Sequence, residues 1–474
     1  MPVEWAGSGP ELLVTIDRAG GTGLRTQLEE QLRAAIRAGR LPAGERLPSS
    51  RELARALGLS RGLVQDCYAQ LQAEGYLTSR PGSATRVAAG AARQSPPSIS
   101  RTPPPARPAV ADFRAGVPDL GLVPREDWAW AVREACRTMP DAAFGYGDPA
   151  GQPRLREVLV GYLTRVRAVT ASPEHVIVCA GMAQALAVVL RALPTAVLAV
   201  EDPGPGRTVL EQAAAAGMTT VPVPVDADGL DVTALHRTAA QAVLVTPAHQ
   251  WPTGVVLSGP RRQALIAWAR TRGGVIVEDD YDAEFRYDRE PVGSLQGLAP
   301  DCVVSLGTVS KSLAPALRLG WILAPDHLLA ALTHGKQLAD RGSPGVDQLA
   351  LAILMESGRY DRHLRRVRAE YAARREVLVA ALATHAPHAR VTGLAAGFHA
   401  VLHLPPGSDE AEVTARARER GVGLYGLGGR HPCLVLGFGD TSRHVIEPGI
   451  AAVADLLRPK PGGAARGAGA IQVR

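Results

Sequence analysis

The first regular pattern in the chain is Leu24, Leu28, Leu32 and Ile36, an apolar residue every four positions. That spacing predicts an amphipathic helix, which Gly39 ends. In the next stretch, RLPSSRELARALG, Ser49 and Glu52 have the spacing of a capping box. A short helix is expected to open there and stop at Gly58. Ser60 then caps a third helix that runs to Gly75. Two short helices around a Gly-containing turn have the spacing of a helix-turn-helix. Two β-prone runs in YLTSRPGSATRV flank Pro81 and Gly82 and predict a hairpin, or wing, on this otherwise all-α N-terminal unit. Residues 12–87 are thus read as one small domain.

The periodicity stops over 88–111, which holds Pro96, Pro97, Pro103, Pro104, Pro105 and Pro108 with three arginines and no acid. Such a composition cannot bury a core and reads as an extended spacer. From 112 to 458 the pattern changes to apolar β-rich runs alternating with helical ones. HVIVCAG precedes MAQALAVVLRAL, AVLAVEDPG precedes RTVLEQAAAAG, and QAVLVTPAH precedes RRQALIAWAR; GGVIVEDDYD and CVVSLGT follow. This rhythm predicts an α/β domain with a mostly parallel central sheet covered by helices. Residues 459–474, rich in Gly and Ala, read as a disordered tail.

Composition narrows the picture. At 474 residues the chain exceeds one ordinary core. It is 46% hydrophobic and 21% charged, and no apolar run is long enough to span a bilayer. The N-terminus carries an early acid and no apolar core segment, unlike a signal peptide. The five cysteines (67, 136, 179, 302 and 433) are odd in number and without C-x-x-C spacing. That argues against disulfides and a zinc site, and for a reducing cytoplasm; no metal is expected. The net charge of +6 permits nucleic-acid binding without requiring it.

Charge placement is more telling. Residues 24–87 hold ten arginines against six acids. In a helix-turn-helix the second helix enters the major groove with its N-terminal residues at the base edges. This nominates Ser60, Arg61 and Gln65 for DNA contact, with Tyr68 further along. Ser50 and Arg51, opening the preceding helix, are expected to grip phosphate, and Gly82 marks the wing tip.

Of 52 basic residues only Lys311, Lys336 and Lys460 are lysines. A lysine offers what arginine does not, a titratable and nucleophilic amine. Lys311 lies in SLGTVSKSLAPALRLG, with Thr308, Ser310 and Arg318 placed to cradle a phosphate beside it. Ligands of parallel sheets sit at the carboxyl ends of strands. Gly181, Asp202, His249, Asp279 and Lys311 end the apolar runs, so one pocket could collect them. Pyridoxal 5'-phosphate supplies a reason for that set: it needs a lysine for its aldehyde, an acid at its pyridine nitrogen and donors for its phosphate. Lys311 suits the Schiff base and Asp279 the pyridinium. Tyr281 suits the phenolic oxygen, approached also by His249 or Gln250. The backbone of Gly181, Met182, Ala183 and Gln184 suits the phosphate at a helix N-terminus.

Two resemblances rest on these motifs. LPSSRELA, LGLSR and YAQLQAEGYL closely resemble the winged-helix domain of GntR-type transcriptional regulators. The large domain resembles fold-type I aminotransferases. The fusion, with YGDPAGQPRLREVLVGYL, TPAHQWPTG, EDDYDAEFRY and GTVSKSLAPALRLGW, resembles the MocR/GabR-type branch of that family. The resemblance implies Lys311 as the aldimine lysine, Asp279 at the pyridine nitrogen, Tyr281 at the phenolic oxygen, and Thr308, Ser310 and Arg318 near phosphate. It also implies a double-stranded DNA operator and a head-to-tail homodimer.

The chain departs from the pattern in four places. Pro205 follows EDPG where an aromatic is usual, GMAQAL replaces Gly-Ser-Gln-Gln, and Gly62–Leu63 stands where polar residues are common. LVLGFG lacks the arginine that clamps a substrate carboxylate in aminotransferases, leaving Arg207 and Arg430 as candidates for an amino-acid effector. The expected function is a regulator in which the large domain senses pyridoxal phosphate, or an amino-acid or amine effector, through Lys311. The alternative is an active aminotransferase with an appended DNA-binding domain.

Overall fold

The computed structural model describes residues 14–18, 21–79, 84–89, 110–282, 284–287, 293–428 and 432–458. It divides into two units, 1–105 and 106–474. Gly82, Arg430, most of the 88–111 spacer and the 459–474 tail lie outside the described residues.

In the first unit α1 (Leu24–Arg37), α2 (Ser50–Leu57) and α3 (Arg61–Ala73) precede a two-stranded ladder of β1 (Leu77–Thr78) and β2 (Arg86–Val87). The wing is antiparallel, Leu77 facing Val87. Local chemistry sets the boundaries. Ser49 Oγ accepts the Glu52 N–H at 3.3 Å and the Glu52 carboxylate accepts the Ser49 N–H at 2.8 Å, a complete capping box. Ser60 Oγ accepts the Leu63 N–H at 3.2 Å and opens α3. Leu28, Leu32 and Ile36 of α1 pack with Leu53, Val64, Cys67 and Leu71 in one core. Each such side chain contributes about 1.5–3 kcal/mol when fully buried.

The strands of the second unit are β3 (Ala111–Asp112), β4 (Val176–Cys179), β5 (Val197–Asp202), β6 (Thr219–Asp226), β7 (Gly229–Leu230), β8 (Ala242–Val245) and β9 (Val275–Asp280). They continue with β10 (Val303–Thr308), β11 (Gly320–Leu323), β12 (Arg390–Thr392), β13 (His399–His403), β14 (Val422–Gly423), β15 (Tyr425–Gly426) and β16 (Cys433–Gly437). Its helices are α4 (Arg125–Thr138), α5 (Pro153–Arg167), α6 (Met182–Ala192), α7 (Arg207–Ala215), α8 (Val232–His236) and α9 (Gly259–Arg272). The last six are α10 (Leu295–Leu298), α11 (Asp326–Asp340), α12 (Gly345–Glu356), α13 (Arg359–His385), α14 (Glu410–Glu419) and α15 (Arg443–Val453).

The central sheet has the order β4-β11-β10-β9-β8-β5-β6-β7. Its pairs from β10 through β9, β8 and β5 to β6 are parallel; β11 runs antiparallel to both β10 and β4, and β7 antiparallel to β6. The expected α/β architecture with a mostly parallel sheet is therefore present. Strands β4, β8 and β10 are buried at every residue, because helices cover both faces. Helices α6 and α11 share one apolar cluster with the sheet, and α8 and α9 share another. A second, antiparallel sheet, β12-β13-β16-β15, packs with α13 and α15. Among the described residues no helix is long and apolar enough to cross a membrane.

Candidate functional site

The carboxyl ends of β4, β5, β8, β9 and β10 gather the chemistry. Lys311 lies three residues beyond β10, half-buried, its Nζ donating to the Gly116 carbonyl at 2.6 Å. Burial lowers its ammonium below the usual lysine range, while the charges of Asp282 and Asp279 oppose that shift. Asp279, at the end of β9, is pushed up to about 7 by burial and by the neighbouring charges of Asp280 and Asp282, with Lys311 acting the other way. Its Oδ1 is enclosed and has no hydrogen-bond partner. A carboxylate in that position suits a cation.

Two residues on, Tyr281 donates its hydroxyl to the His249 carbonyl at 3.2 Å. Burial, then Asp282 and Asp279, hold that phenol protonated well above its ordinary range. His249 Nδ1 lies 2.8 Å from Asp282 Oδ2, both side chains fully enclosed. The His249 ring stands 4.5 Å from that of His399, which Trp251 meets edge-on at 4.9 Å. Burial and the proximity of His249 drive His399 far below the usual histidine range, so it is neutral. His249, Asp282 and His399 are the one trio among the described residues that brings metal-ligand atoms within 4.8 Å of each other. The carboxylate there is already engaged by the His249 ring.

The residues expected to cradle a phosphate come from two segments distant in sequence. Gly181 caps α6 with φ +77, and a Cβ there would meet the Arg318 guanidinium at 2.8 Å. Only glycine tolerates both the backbone angle and that approach. Arg318 donates to the Ala180 carbonyl at 2.8 Å, tying the loop after β10 to the turn after β4. Thr308 Oγ1 and Ser310 Oγ lie 2.8 Å apart and buried, with Thr308 also donating to the Leu319 carbonyl. No side chain caps α6, so Met182, Ala183 and Gln184 offer their first-turn amides. The Gln184 side chain is spent elsewhere, accepting the Ala180 N–H at 2.7 Å and donating to Asp340. Gln250 is likewise inward, donating to the Pro203 carbonyl and accepting from Thr253.

Some expectations need correcting. Asp202 ends β5 but is exposed, because strand alternation turns the preceding residue inward. That residue, Glu201, is fully enclosed, accepts the Thr246 N–H and hydroxyl at 3.0 and 2.7 Å, and is raised to about 7 by burial. Arg207 opens α7 at the surface, its side chain 91% exposed and paired with Glu211 at 2.7 Å. Behind β9, Arg167 grips Asp280 through two hydrogen bonds of 2.8 and 3.0 Å, a buried pair that no sequence motif announced.

In the first unit, Ser60, Arg61 and Gln65 are exposed on the N-terminal half of α3, and Ser50 and Arg51 occupy the first turn of α2. Tyr68 is the exception. It is 6% exposed and donates to the Pro48 carbonyl at 2.9 Å, so it holds the core and cannot reach DNA from this position. Its place in the stripe Val64, Cys67, Tyr68, Leu71 explains why.

Comparisons with known proteins follow the same division. Residues 109–439 match the family "Aminotransferase class I and II", and residues 24–87 match "Bacterial regulatory proteins, gntR family". The chain is 33% identical over 459 residues to the pyridoxine biosynthesis transcriptional regulator PdxR of Corynebacterium glutamicum, covering 94% of this chain and 99% of that protein. It is 34% identical over 394 residues to the probable rhizopine catabolism regulatory protein MocR of Rhizobium meliloti, covering 79% and 80%. Among solved structures, an archaeal alanine:glyoxylate aminotransferase superposes with a TM-score of 0.67 at 27% identity, over 73% of this chain and 90% of the other. LysN, an α-aminoadipate aminotransferase from Thermus thermophilus complexed with N-(5'-phosphopyridoxyl)-L-leucine, gives 0.66 at 27%, over 73% and 92%.

Proposed function

The chain belongs to the MocR-type branch of the GntR regulators, helix-turn-helix transcription factors with an aminotransferase-like domain, and on that premise we propose that pyridoxal 5'-phosphate is held through Lys311 and makes the large domain a sensor. The observation that carries this reading is Asp279 Oδ1, an enclosed carboxylate oxygen with no partner, within electrostatic reach of a lysine whose ammonium is depressed. An isolated buried carboxylate is costly. A pyridinium beside it removes the cost.

When bound, the cofactor supplies an aldehyde that condenses with an amine and a ring that draws electrons. The protein's own residues do the rest. Asp279 would hold the ring nitrogen protonated, and Tyr281 would offer its hydroxyl to the phenolic oxygen. Thr308, Ser310, Arg318 and the first amides of α6 would receive the phosphate. Burial disfavours the Lys311 ammonium, which favours exchange with an incoming amine. It also gives Lys311 the capacity to act as a base in a residual half-reaction.

Either pyridoxal phosphate itself or an amino-acid or amine effector is the signal, and the Corynebacterium relative's name points to the former. Coupling to DNA requires the ligand to bind two arrangements with different free energy. Ser60, Arg61 and Gln65 would read the operator and Ser50 and Arg51 its phosphates. A homodimer fits the exposed aromatics of 141–147, where Phe144 is 58% and Tyr146 81% exposed, with Leu338 exposed on α11. A second copy covering them would bury a costly apolar face.

The test is borohydride reduction of the cofactor-loaded protein followed by peptide mapping. The reading requires a stable adduct on Lys311 that Lys311→Ala lacks while keeping its fold. An adduct elsewhere, or none, would sink it.

A further inference from the structure

Lys336 is one of three lysines in the chain and is 0% exposed. Lysine is almost never buried completely unless paired. It lies on α11, which packs beside α6 through a shared apolar cluster. If that packing were the whole requirement, an apolar side chain of the same length would meet it without a buried charge.

The ammonium begins a chain of contacts that leads to the cofactor site. Lys336 Nζ donates to Asp340 Oδ1 at 2.6 Å. Asp340 Oδ1 also accepts the Gly342 N–H at 2.9 Å, and Oδ2 accepts from Gln184 Nε2 at 2.8 Å. Gln184 Oε1 then accepts the Ala180 N–H at 2.7 Å. From the other side Arg318 donates to the Ala180 carbonyl at 2.8 Å. Both polar groups of Ala180 are thus held immediately before Gly181, the residue that aims the first amides of α6. Lys336 and Gln184 both hold Asp340 below the usual carboxylate range, so the middle link stays charged.

We propose that Lys336 is a positioning residue: acting through Asp340 and Gln184, it fixes the turn before α6 in its anion-receiving geometry and gives the site its preference for a phosphorylated ligand over the same ligand without phosphate. The inference rests on the pyridoxal phosphate reading above. Donors fixed in advance spare the ligand the cost of ordering them, and that saving reaches only the group that meets the turn. The loop after β10 contributes Thr308, Ser310 and Arg318 independently, so the effect is partial.

The experiment measures dissociation constants of pyridoxal 5'-phosphate and of pyridoxal for the full chain and for Lys336→Met and Gln184→Leu. Gln184→Leu leaves the Lys336–Asp340 pair in place, so it carries the test if Lys336→Met fails to fold. The unaltered protein is expected to favour the phosphate ester. Each variant should lose roughly tenfold in affinity for it, about the worth of one hydrogen bond to a charged group, with pyridoxal affinity unchanged. A folded variant with full affinity for the phosphate ester overturns the inference, as does an equal loss for both ligands, which would mark a general structural role. If the unaltered protein binds neither ligand, the cofactor reading fails and this inference with it. Binding of the ester with discrimination untouched by either substitution defeats this inference alone.

Discussion

Asp279→Asn changes the charge near the end of β9 with little change in shape. In the folded protein the carboxyl is raised from 3.8 to about 7. Between those values the folded protein keeps a proton that the unfolded chain has released. The group's contribution to stability is therefore full below about pH 4 and is lost as pH rises through 7. At 1.36 kcal/mol per unit, a shift of about three units is worth about 4 kcal/mol. Asp279 keeps partial solvent exposure, and screening there reduces the figure to about 2 kcal/mol. The cofactor-free Asn variant should match the unaltered protein below about pH 4 and exceed its stability by about 2 kcal/mol at pH 8. Pyridoxal phosphate affinity should move the opposite way, because an amide cannot pair with a pyridinium. The loss of a charge-assisted hydrogen bond, about 1.5–3 kcal/mol, corresponds to roughly ten- to a hundredfold weaker binding. Thermal melts of cofactor-free protein from pH 4 to 8, beside cofactor titrations, measure both effects. An Asn variant with an unchanged pH profile, or with undiminished affinity, would refute the assignment of Asp279.

Three other outcomes are expected. Lys311→Ala should abolish the visible absorbance of covalently bound cofactor while its circular dichroism matches the unaltered protein. Arg61→Ala should weaken specific operator binding by about 1–3 kcal/mol in a footprinting titration, whereas Tyr68→Phe should cost about 1 kcal/mol of stability and leave the footprint unchanged. Arg167→Ala strands the Asp280 carboxylate in the core and should destabilise the large domain by about 3–5 kcal/mol in denaturant melts, with the winged-helix transition unmoved.

What was legible in the sequence was local. The Ser49–Glu52 box, the Gly58 stop and the Ser60 cap each depend on neighbours within a few positions, and all three are present. Lys311, Asp279 and Gly181 were legible because parallel strands deliver their following residues to one rim, and that rule needs no knowledge of strand order. Parity and distance were harder. Glu201 and Asp202 differ only in which face of β5 they occupy, and the apolar run before them is too uniform to set it. Tyr68 could have been placed correctly from its own helical stripe, which outranks its position on a recognition helix. His399, Gly116 and the Lys336–Asp340 pair come from segments with no motif, and only the folded chain makes them neighbours of the site. Arg207 is exposed and paired with Glu211, an ion pair that the four-residue helical spacing already offered.

The third helix of the first unit separates two duties on one cylinder. Val64, Cys67, Tyr68 and Leu71 supply the packing, while Ser60, Arg61, Gly62 and Gln65 face outward. Gly62 sits among them with an ordinary helical backbone, and a Cβ built there meets nothing within 4 Å. A glycine inside a helix costs about 0.5–1 kcal/mol relative to alanine. Any side chain introduced at 62 therefore enters open space and gains helix stability at the same time. A side chain at 62 would thus add a group to the exposed face of the third helix without a compensating change in the core.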